Sequence, residues 1–448
     1  MADRLQRMYQ EGVMTDTKLL IVADDLTGGL DTGVQFARQG IAVRVVTDPD
    51  QEGGWTRTKA QVLVAVSETR HAAPEDAFEK VYRLISAGRR AGIPYFYKKT
   101  DSALRGNIGA ELDAALKASG AEVLSFLPAY PAMNRITVGG RHYINGVPAE
   151  QSVFGKDPFD PVAESDVRKL IAGQTDAPVT AREGAGAGIL VVDGSSGEEL
   201  LAAGKRLLAK GYLTVSAGCA GFAAFLPELL GLHREEVPLD FNTGDGLLVI
   251  SGSLNPVTVR QIGYAQKNGY VRISVKPGQG EAAERAAAAQ SGETAAEGTR
   301  DNAPAVALSR EKWAILDSTG LDPEEESFRD YMRRKGIDSG EARERIAAYL
   351  AEIMAETEER NKDPREDTKG RTVMIIGGDT LLACLRRLGC RELQPLAELF
   401  PGVVLSLYRA GGKEKFLISK SGGFGSETLL ADLKELIEKK QTMTGGKL

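Results

Sequence analysis

The sequence predicts an α/β protein of two domains, each with a mostly parallel or mixed sheet flanked by helices. Three observations carry this. Short apolar, β-rich runs alternate with helically spaced stretches along most of the chain, the pattern of βαβ units. The chain has 448 residues, more than one compact core usually holds. A polar, turn-rich stretch at 231–245 interrupts the alternation, which then starts afresh, so the domains are placed at 1–235 and 236–448.

In the first domain, residues 18–23 (KLLIVA) read as a strand, followed by an acidic turn and a helical stretch ending near Gly40. Residues 42–46 and 61–66 read as further strands. Residues 77–90 have helical spacing, with Val81, Leu84 and Ile85 on one face. Residues 94–98 are another strand, 110–118 another helix and 123–127 another strand. Residues 128–160, rich in Pro, Gly, Asn and aromatics, read as a hairpin-bearing excursion from the sheet. A strand at 189–192 and helices at 198–209 and 222–230 complete the domain.

The second domain opens with a strand at 246–250, a helix after Pro256 and a strand at 271–275. Residues 277–305, rich in Ala, Glu and Gly, read as a surface loop or loose helix. A strand is expected at 312–316, and a helix at 340–360 with Ile346, Leu350, Ile353 and Met354 on one face. Strands at 372–376, 403–407 and 415–418 and a helix from Ser426 finish it.

The bulk numbers narrow the function. A net charge of -6 leaves no footprint for nucleic acid, although a local basic pocket for a small anion remains compatible with it. Three cysteines without a CxxC pair argue against a disulfide framework and for a reducing compartment, the cytoplasm. Three widely separated histidines give no metal-ligand spacing, and no signal peptide or membrane span is expected.

Four stretches share one design: a β-run, a loop of Gly, Ser, Thr and Asp, then a helix. Ligands bind at such strand ends because helix N-termini and free amides converge there. The first is Asp24-Asp25-Leu26-Thr27-Gly28. Strand alternation would send the two carboxylates to opposite faces, one capping the next helix and the other taking a proton from, or binding, a substrate hydroxyl. Asp31, one turn on, is a surface charge or a further ligand group. The second runs from Lys98 through Lys99, Thr100, Asp101 and Ser102 to Arg105. Arg105 and Lys99 suit a carboxylate, and Asp101 suits a hydroxyl. The alternative is an exposed turn whose charges pair among themselves. Arg70, ending another strand, joins the same anion site or lies on the surface.

The third is Ser251-Gly252-Ser253, whose small residues suit a phosphate, with Pro256 in the first helical turn. The fourth comprises Gly377-Gly378-Asp379-Thr380 and Gly422-Gly423-Phe424, where glycines permit close approach of a nucleotide. Asp379 binds ribose, acts through magnesium or caps the helix; Phe424 stacks on a base or packs in the core. There is no GxxxxGK[ST], GxGxxG or GxSxG, and His142 reads as structural or surface rather than as part of a triad.

In this order, ADDLTGGLDTG, YKKTDSALRGNIGAEL, PAYP with VGGRHYINGVP, DPFDPVAES, SGSLNPVT, GGDT and SKSGGFG span residues 21–428. Together they resemble the four-carbon acid sugar kinase family, whose members phosphorylate threonate, erythronate or oxo-tetronates with ATP. The resemblance implies a sugar-acid-binding N-terminal domain, a nucleotide-binding C-terminal domain and an active site in the cleft between them. It carries substrate contacts onto Asp25, Arg70 and 99–102, with Arg105 and Asp24 beside them, and Asp25 or Asp101 as the base. Nucleotide contacts fall on Ser251, Gly252 and Ser253, on Gly377 to Thr380, and on Gly422 and Gly423, with Mg2+ on the phosphates. The chain departs from the family pattern at three places: Asp379 stands where Glu is common, Gly423 where Asn is, and Leu254-Asn255 where Cys-Ser is. The rival readings are a dehydrogenase of similar acids and a non-catalytic sensor of a sugar acid or nucleotide. Oligomerisation with its own copies is left open.

Overall fold

The structure is a computed structural model that describes residues 16–155, 161–233, 246–275, 303–318, 332–360, 371–410 and 412–444. The boundary stretch at 234–245, nearly all of the Ala/Glu/Gly-rich segment at 277–305, and residues 157–160 of DPFDPVAES lie outside these. The chain divides into two compact units: Met1–Pro238 with Arg391–Ala397, and Leu239–Cys390 with Glu398–Leu448.

The strands of the first unit are β1 (Leu19–Ala23), β2 (Val43–Val46), β3 (Val62–Val66), β4 (Tyr95–Lys99), β5 (Val123–Leu127), β6 (Arg135–Val138), β7 (Arg141–Ile144), β8 (Val147–Pro148), β9 (Val179–Thr180), β10 (Gly188–Val191) and β11 (Val215–Gly218). One sheet runs β2-β3-β1-β4-β11-β5-β10-β9 with parallel neighbours. Every residue of β1 and β3 is buried, as expected where both faces of a parallel sheet are covered, so these strands read as unbroken apolar runs. Glu392 and Leu393 add an antiparallel edge to β2. The excursion forms a separate antiparallel sheet of β6, β7 and β8.

Helices α1 (Leu26–Ala37), α2 (Pro74–Arg90), α3 (Ile108–Ser119) and α4 (Gly197–Ala209) cover the sheet. α2 starts three residues before the sequence expectation, because Pro74 suits the first helical turn. Glu75 and Asp76 at its start and Arg89 and Arg90 at its end complement the helix dipole. Val81, Leu84 and Ile85 bury against Leu20, Leu63 and Phe96 in the main core, each such side chain contributing about 1.5–3 kcal/mol. The helix expected at 222–230 is instead two one-turn pieces, Ala220–Ala223 and Leu226–Leu229, with Pro227 opening the second.

In the second unit, β12 (Leu247–Ser251), β13 (Val271–Ser274), β14 (Trp313–Asp317), β15 (Thr372–Ile376), β16 (Glu392–Phe400, entering this unit at Glu398), β17 (Val403–Ala410) and β18 (Lys413–Lys420) are the strands. The order β13-β14-β12-β15-β18 is parallel, and β17 is antiparallel to β18. Its helices are α5 (Pro256–Lys267), α6 (Ser339–Arg360), α7 (Gly378–Arg387) and α8 (Leu429–Thr444), plus the short Ala303–Ser309. The sequence reading missed β16, whose leucines fall at helical spacing and whose Pro395 argues against a strand.

The two units place their loops alike. In the first, the connection from β1 leads toward β2 and that from β4 leads toward β5, on opposite sides. In the second, β12 leads toward β13 and the adjacent β15 leads the other way. Each pair forms a topological switch point, where a crevice opens beyond the carboxyl ends of the strands.

Candidate functional site

At the switch point of the first unit, the loop after β1 carries Asp24 and Asp25, the loop after β3 carries Arg70, and the loop after β4 carries Thr100 to Arg105. Arg70 ties the three together. Its Nε donates to Asp24 Oδ2 at 2.7 Å, and Nη1 and Nη2 donate to Asp25 at 3.0 and 2.8 Å. Asp101 Oδ1 lies 3.8 Å from Arg70 Nη2. Gly106, at φ +88°, lets the next loop pass close to Arg70; a Cβ there would lie 3.1 Å from the Arg70 carbonyl oxygen.

The two adjacent carboxylates do not diverge as strand alternation suggested. β1 ends at Ala23, so the alternation stops before them, and both reach one guanidinium. The cap and the candidate base are also one residue: Asp25 Oδ1 accepts from Gly28 N at 3.0 Å, and Oδ2 accepts from the Thr27 hydroxyl at 2.6 Å. Burial raises the Asp25 carboxyl, but Arg70, Lys99 and the Thr27 hydroxyl together bring it below its ordinary value. Asp24 is sealed at 2% exposure, and its Oδ1 accepts no hydrogen bond from the described residues, with Lys99 Nζ 4.0 Å away. Lys99 Nζ donates to Thr100 O at 2.8 Å. Gly28 makes room for both groups, since a Cβ there would lie 2.4 Å from Asp25 Oδ1 and 2.7 Å from Lys99 Nζ.

Asp101 organises its own turn. Its oxygens accept from Ala103 N, from Arg105 N, and from Arg105 Nε and Nη2 at 2.9 and 3.0 Å. Burial pushes this carboxyl up, yet Arg105, Arg70 and the nearby Arg135 hold it well below the usual carboxylate range. The reading of charges pairing among themselves therefore holds for the Asp101–Arg105 fork, though the pair is largely enclosed rather than exposed. Thr100 is fully buried, and its hydroxyl has no hydrogen-bond partner among the described residues. The Ser102 hydroxyl meets Arg135 Nη1.

Three groups support this site; sequence reasoning placed Lys98 on the β4 turn and read His142 as structural or surface, but missed Glu111 and Arg135. Lys98 and Glu111 form a fully buried ion pair of 3.0 Å, and Glu111 also accepts from the Thr69 hydroxyl, which pins β4 and the loop after β3 to α3. Arg135 stands on the excursion sheet, its guanidinium 5.0 Å from the Phe154 ring centre, with that of Arg105 5.2 Å away on the same ring. His142 is buried, with Nε2 3.1 Å from Ser102 O and Nδ1 3.0 Å from the Thr137 hydroxyl. A carbonyl only accepts, so Nε2 carries the proton and Nδ1 accepts from Thr137. Burial pushes this imidazole down to about 4, so the structural reading of His142 is the apt one.

At the switch point of the second unit, Ser251, Gly252 and Ser253 follow β12, Gly377 to Thr380 follow β15, and Gly422 and Gly423 follow β18. The glycines allow contact between loops. A Cβ on Gly252 would lie 2.1 Å from Thr380 Oγ1, and one on Gly422 would lie 2.3 Å from Ser253 Oγ. Gly377 has φ +107°. Ser251 Oγ is buried without a hydrogen-bond partner among the described residues. Asp379 does not cap α7: Gly377 is the cap residue, with no side-chain bond, and Asp379 lies exposed in the first turn. Phe424 is half-buried, its ring seated against Gly402 rather than in the core. Asn255 caps α5 by accepting from Val257 N at 3.0 Å, and its amide nitrogen would lie 3.6 Å from a Cβ on Gly423. Lys420, 1% exposed, donates toward the carbonyls of Ser421, Gly422 and Phe424 at 3.1–3.2 Å and so fixes the glycine loop from behind. Burial pushes its ammonium down to about 7.

No group of three or more metal-ligating side chains occurs among the described residues, and no described helix is long and apolar enough to cross a membrane. The three cysteines are buried and unpaired with one another.

Comparison with known proteins matches residues 19–226 to a sugar-binding N-terminal domain and residues 248–430 to a nucleotide-binding C-terminal domain. The chain is 30% identical over 450 residues to a D-threonate kinase of Cupriavidus necator, covering 92% of this chain and 96% of that one. It is 28% identical over 444 residues to a D-threonate kinase of Salmonella typhimurium, covering 94% and 98%. A Salmonella typhimurium crystal structure, provisionally named a tRNA synthase, shares the fold at TM-score 0.71 and 19% identity, covering 93% and 98%.

Proposed function

The chain belongs to the four-carbon acid sugar kinase family, and on that premise we propose that it transfers the γ-phosphate of ATP to a hydroxyl of a four-carbon sugar acid, namely threonate, erythronate or an oxo-tetronate. The observation that carries the acceptor half is the meeting of Asp24, Asp25, Lys99, Asp101 and Arg105 around Arg70 at one switch point. The cations there give the field in which an anionic acid settles, and Asp25 or Asp101 suits the reacting hydroxyl, which it orients or deprotonates. Thr100 and Ser102 supply hydroxyls on the same loop.

The donor half rests on Ser251 to Ser253, Gly377 to Thr380, and Gly422 and Gly423. The partnerless Ser251 hydroxyl and the close-packed glycines fit phosphate oxygens and the approach of a nucleotide. Asp379 is the carboxylate that would hold Mg2+ arriving with the nucleotide, an ion that neutralises phosphate charge and needs only one or two protein ligands. Phosphoryl transfer asks mainly for positioning and charge stabilisation, and the charged loops of the first unit and the glycine loops of the second suit those two needs.

The test is ADP release from ATP and Mg2+ across D- and L-threonate, D- and L-erythronate and the oxo-tetronates. Saturable turnover with at least one acid is expected. Absence of turnover with all of them would reject the kinase, and NADH formation with threonate and NAD would install the dehydrogenase reading in its place.

A further inference from the structure

We propose that Arg135, on the excursion sheet, is the side chain that grips the carboxylate of the sugar acid and so makes the enzyme select acids over neutral polyols. This rests on the kinase reading above. The other cations of the acceptor site are already engaged. Arg70 is held by Asp24 and Asp25 through Nε, Nη1 and Nη2. Arg105 is forked onto Asp101. A ligand carboxylate reaching either would compete with a protein carboxylate already in place. Lys99 is a buried point charge turned onto the Thr100 carbonyl.

Arg135 differs from all three. Among the described residues its guanidinium has one hydrogen-bonding partner, the neutral hydroxyl of Ser102, and makes no ion pair. It acts on Asp101 only through its field, as a charge that helps to keep that carboxylate ionised. The side chain is half-buried, so it is open to a ligand yet partly shielded from water. The cation–π contact with Phe154 restrains the guanidinium, and the Ser102 hydroxyl aims it at the loop that carries Thr100 and Asp101. A planar, pre-aimed guanidinium lacking a carboxylate partner is the group that two carboxylate oxygens can engage side by side. The ligand carboxylate would take the place of the Ser102 hydroxyl, a weaker partner.

The excursion then has a reason to exist. It departs from the sheet after β5 and returns by backbone bonds from Thr137 N to Gly194 O and from Gly194 N to Thr137 O. Between those ends it brings Arg135, His142 and Phe154 to the β4 loop.

The experiment measures steady-state kinetics of Arg135→Gln and Arg135→Lys with the best acid of the panel, and calorimetric binding of that acid without nucleotide. Loss of one charge-assisted contact predicts acid KM and Kd about 10- to 100-fold higher in Arg135→Gln. ATP KM and Tm should stay near wild type. Arg135→Lys should recover only part of the loss, because lysine cannot offer the paired contact. Acid KM and Kd within twofold of wild type in Arg135→Gln would overturn the inference, as would parallel changes in Tm and both KM values, which mark a merely structural role. If the wild type binds an acid without turning it over, the kinase reading falls, and the Arg135 binding comparison still decides this one. If it binds no acid, both fall.

Discussion

At the scale of single residues, the proposed chemistry rests on carboxylates that their cationic neighbours keep ionised and in place. Asp25 and Asp101 both lie below their ordinary value of 3.8. A carboxylate so stabilised is a weak base, and its value to the reaction is in aligning the hydroxyl more than in removing its proton early. Asp25→Asn and Asp101→Asn should therefore each lower kcat by about 10²- to 10⁴-fold, while circular dichroism shows the fold retained. Any acid limb of the wild-type kcat profile that these groups supply should lie to the acid side of the ordinary carboxylate range. Near-normal turnover in both variants would remove them from the mechanism. The sequence made these residues legible because Asp, Lys, Thr, Ser and Arg crowd a strand-to-helix turn where solvation alone has no use for the mixture. It did not make their partnerships legible. Which carboxylate takes which arm of Arg70 depends on three loops meeting at a switch point, and that is a property of strand order.

At the scale of elements, the excursion sheet and the glycine loop show what local pattern leaves out. The aromatic and Gly-rich composition of 128–160 announced a hairpin, but nothing in it announced that His142 would be sealed against Ser102 or that Arg135 would reach the acceptor site. Lys420 was equally hidden, since a lysine ending a strand usually lies in water, whereas here carbonyls of the loop at 421–424 enclose it. The His142 burial has a measurable consequence. Its folded-state value, about 4, lies below the 6.5 of an exposed histidine, so the unfolded chain binds the extra proton first as pH falls. Its contribution is intact above pH 6.5, declines as pH drops from 6.5 to 4, and is gone below that, a change of about 3 kcal/mol. Urea midpoints of the wild type should fall across this window more steeply than those of His142→Gln, which keeps a donor for the Ser102 carbonyl but cannot titrate. Parallel declines in the two proteins would show that His142 does not drive the loss.

At the scale of the whole molecule, sequence order and structural membership part company. Residues 391–397 follow most of the second unit in the chain yet belong to the first, where Glu392 and Leu393 pair with Val46 and Val45. Pro395 completes the seat, since a Cβ on Gly33 of α1 would lie 3.2 Å from its ring. Alternation of strands and helices predicted the α/β class and its strand-end loops, because both follow from local spacing. This return of the chain was beyond it, because an edge strand carrying a proline has no local signature and its partner lies more than 340 residues away. The Arg44–Glu392 ion pair is half exposed on the Glu side and contributes about 0–1 kcal/mol. Leu393, 1% exposed, is the anchor instead, and Leu393→Ala should cost about 2–5 kcal/mol. The cost should appear in the unit that the residue has joined. Hydrogen exchange in Leu393→Ala should lose protection in Val43–Val46 and Val62–Val66 while Leu247–Ser251 and Thr372–Ile376 keep theirs. Loss confined to the latter two strands would mean that residues 391–397 belong, energetically, with their neighbours in sequence.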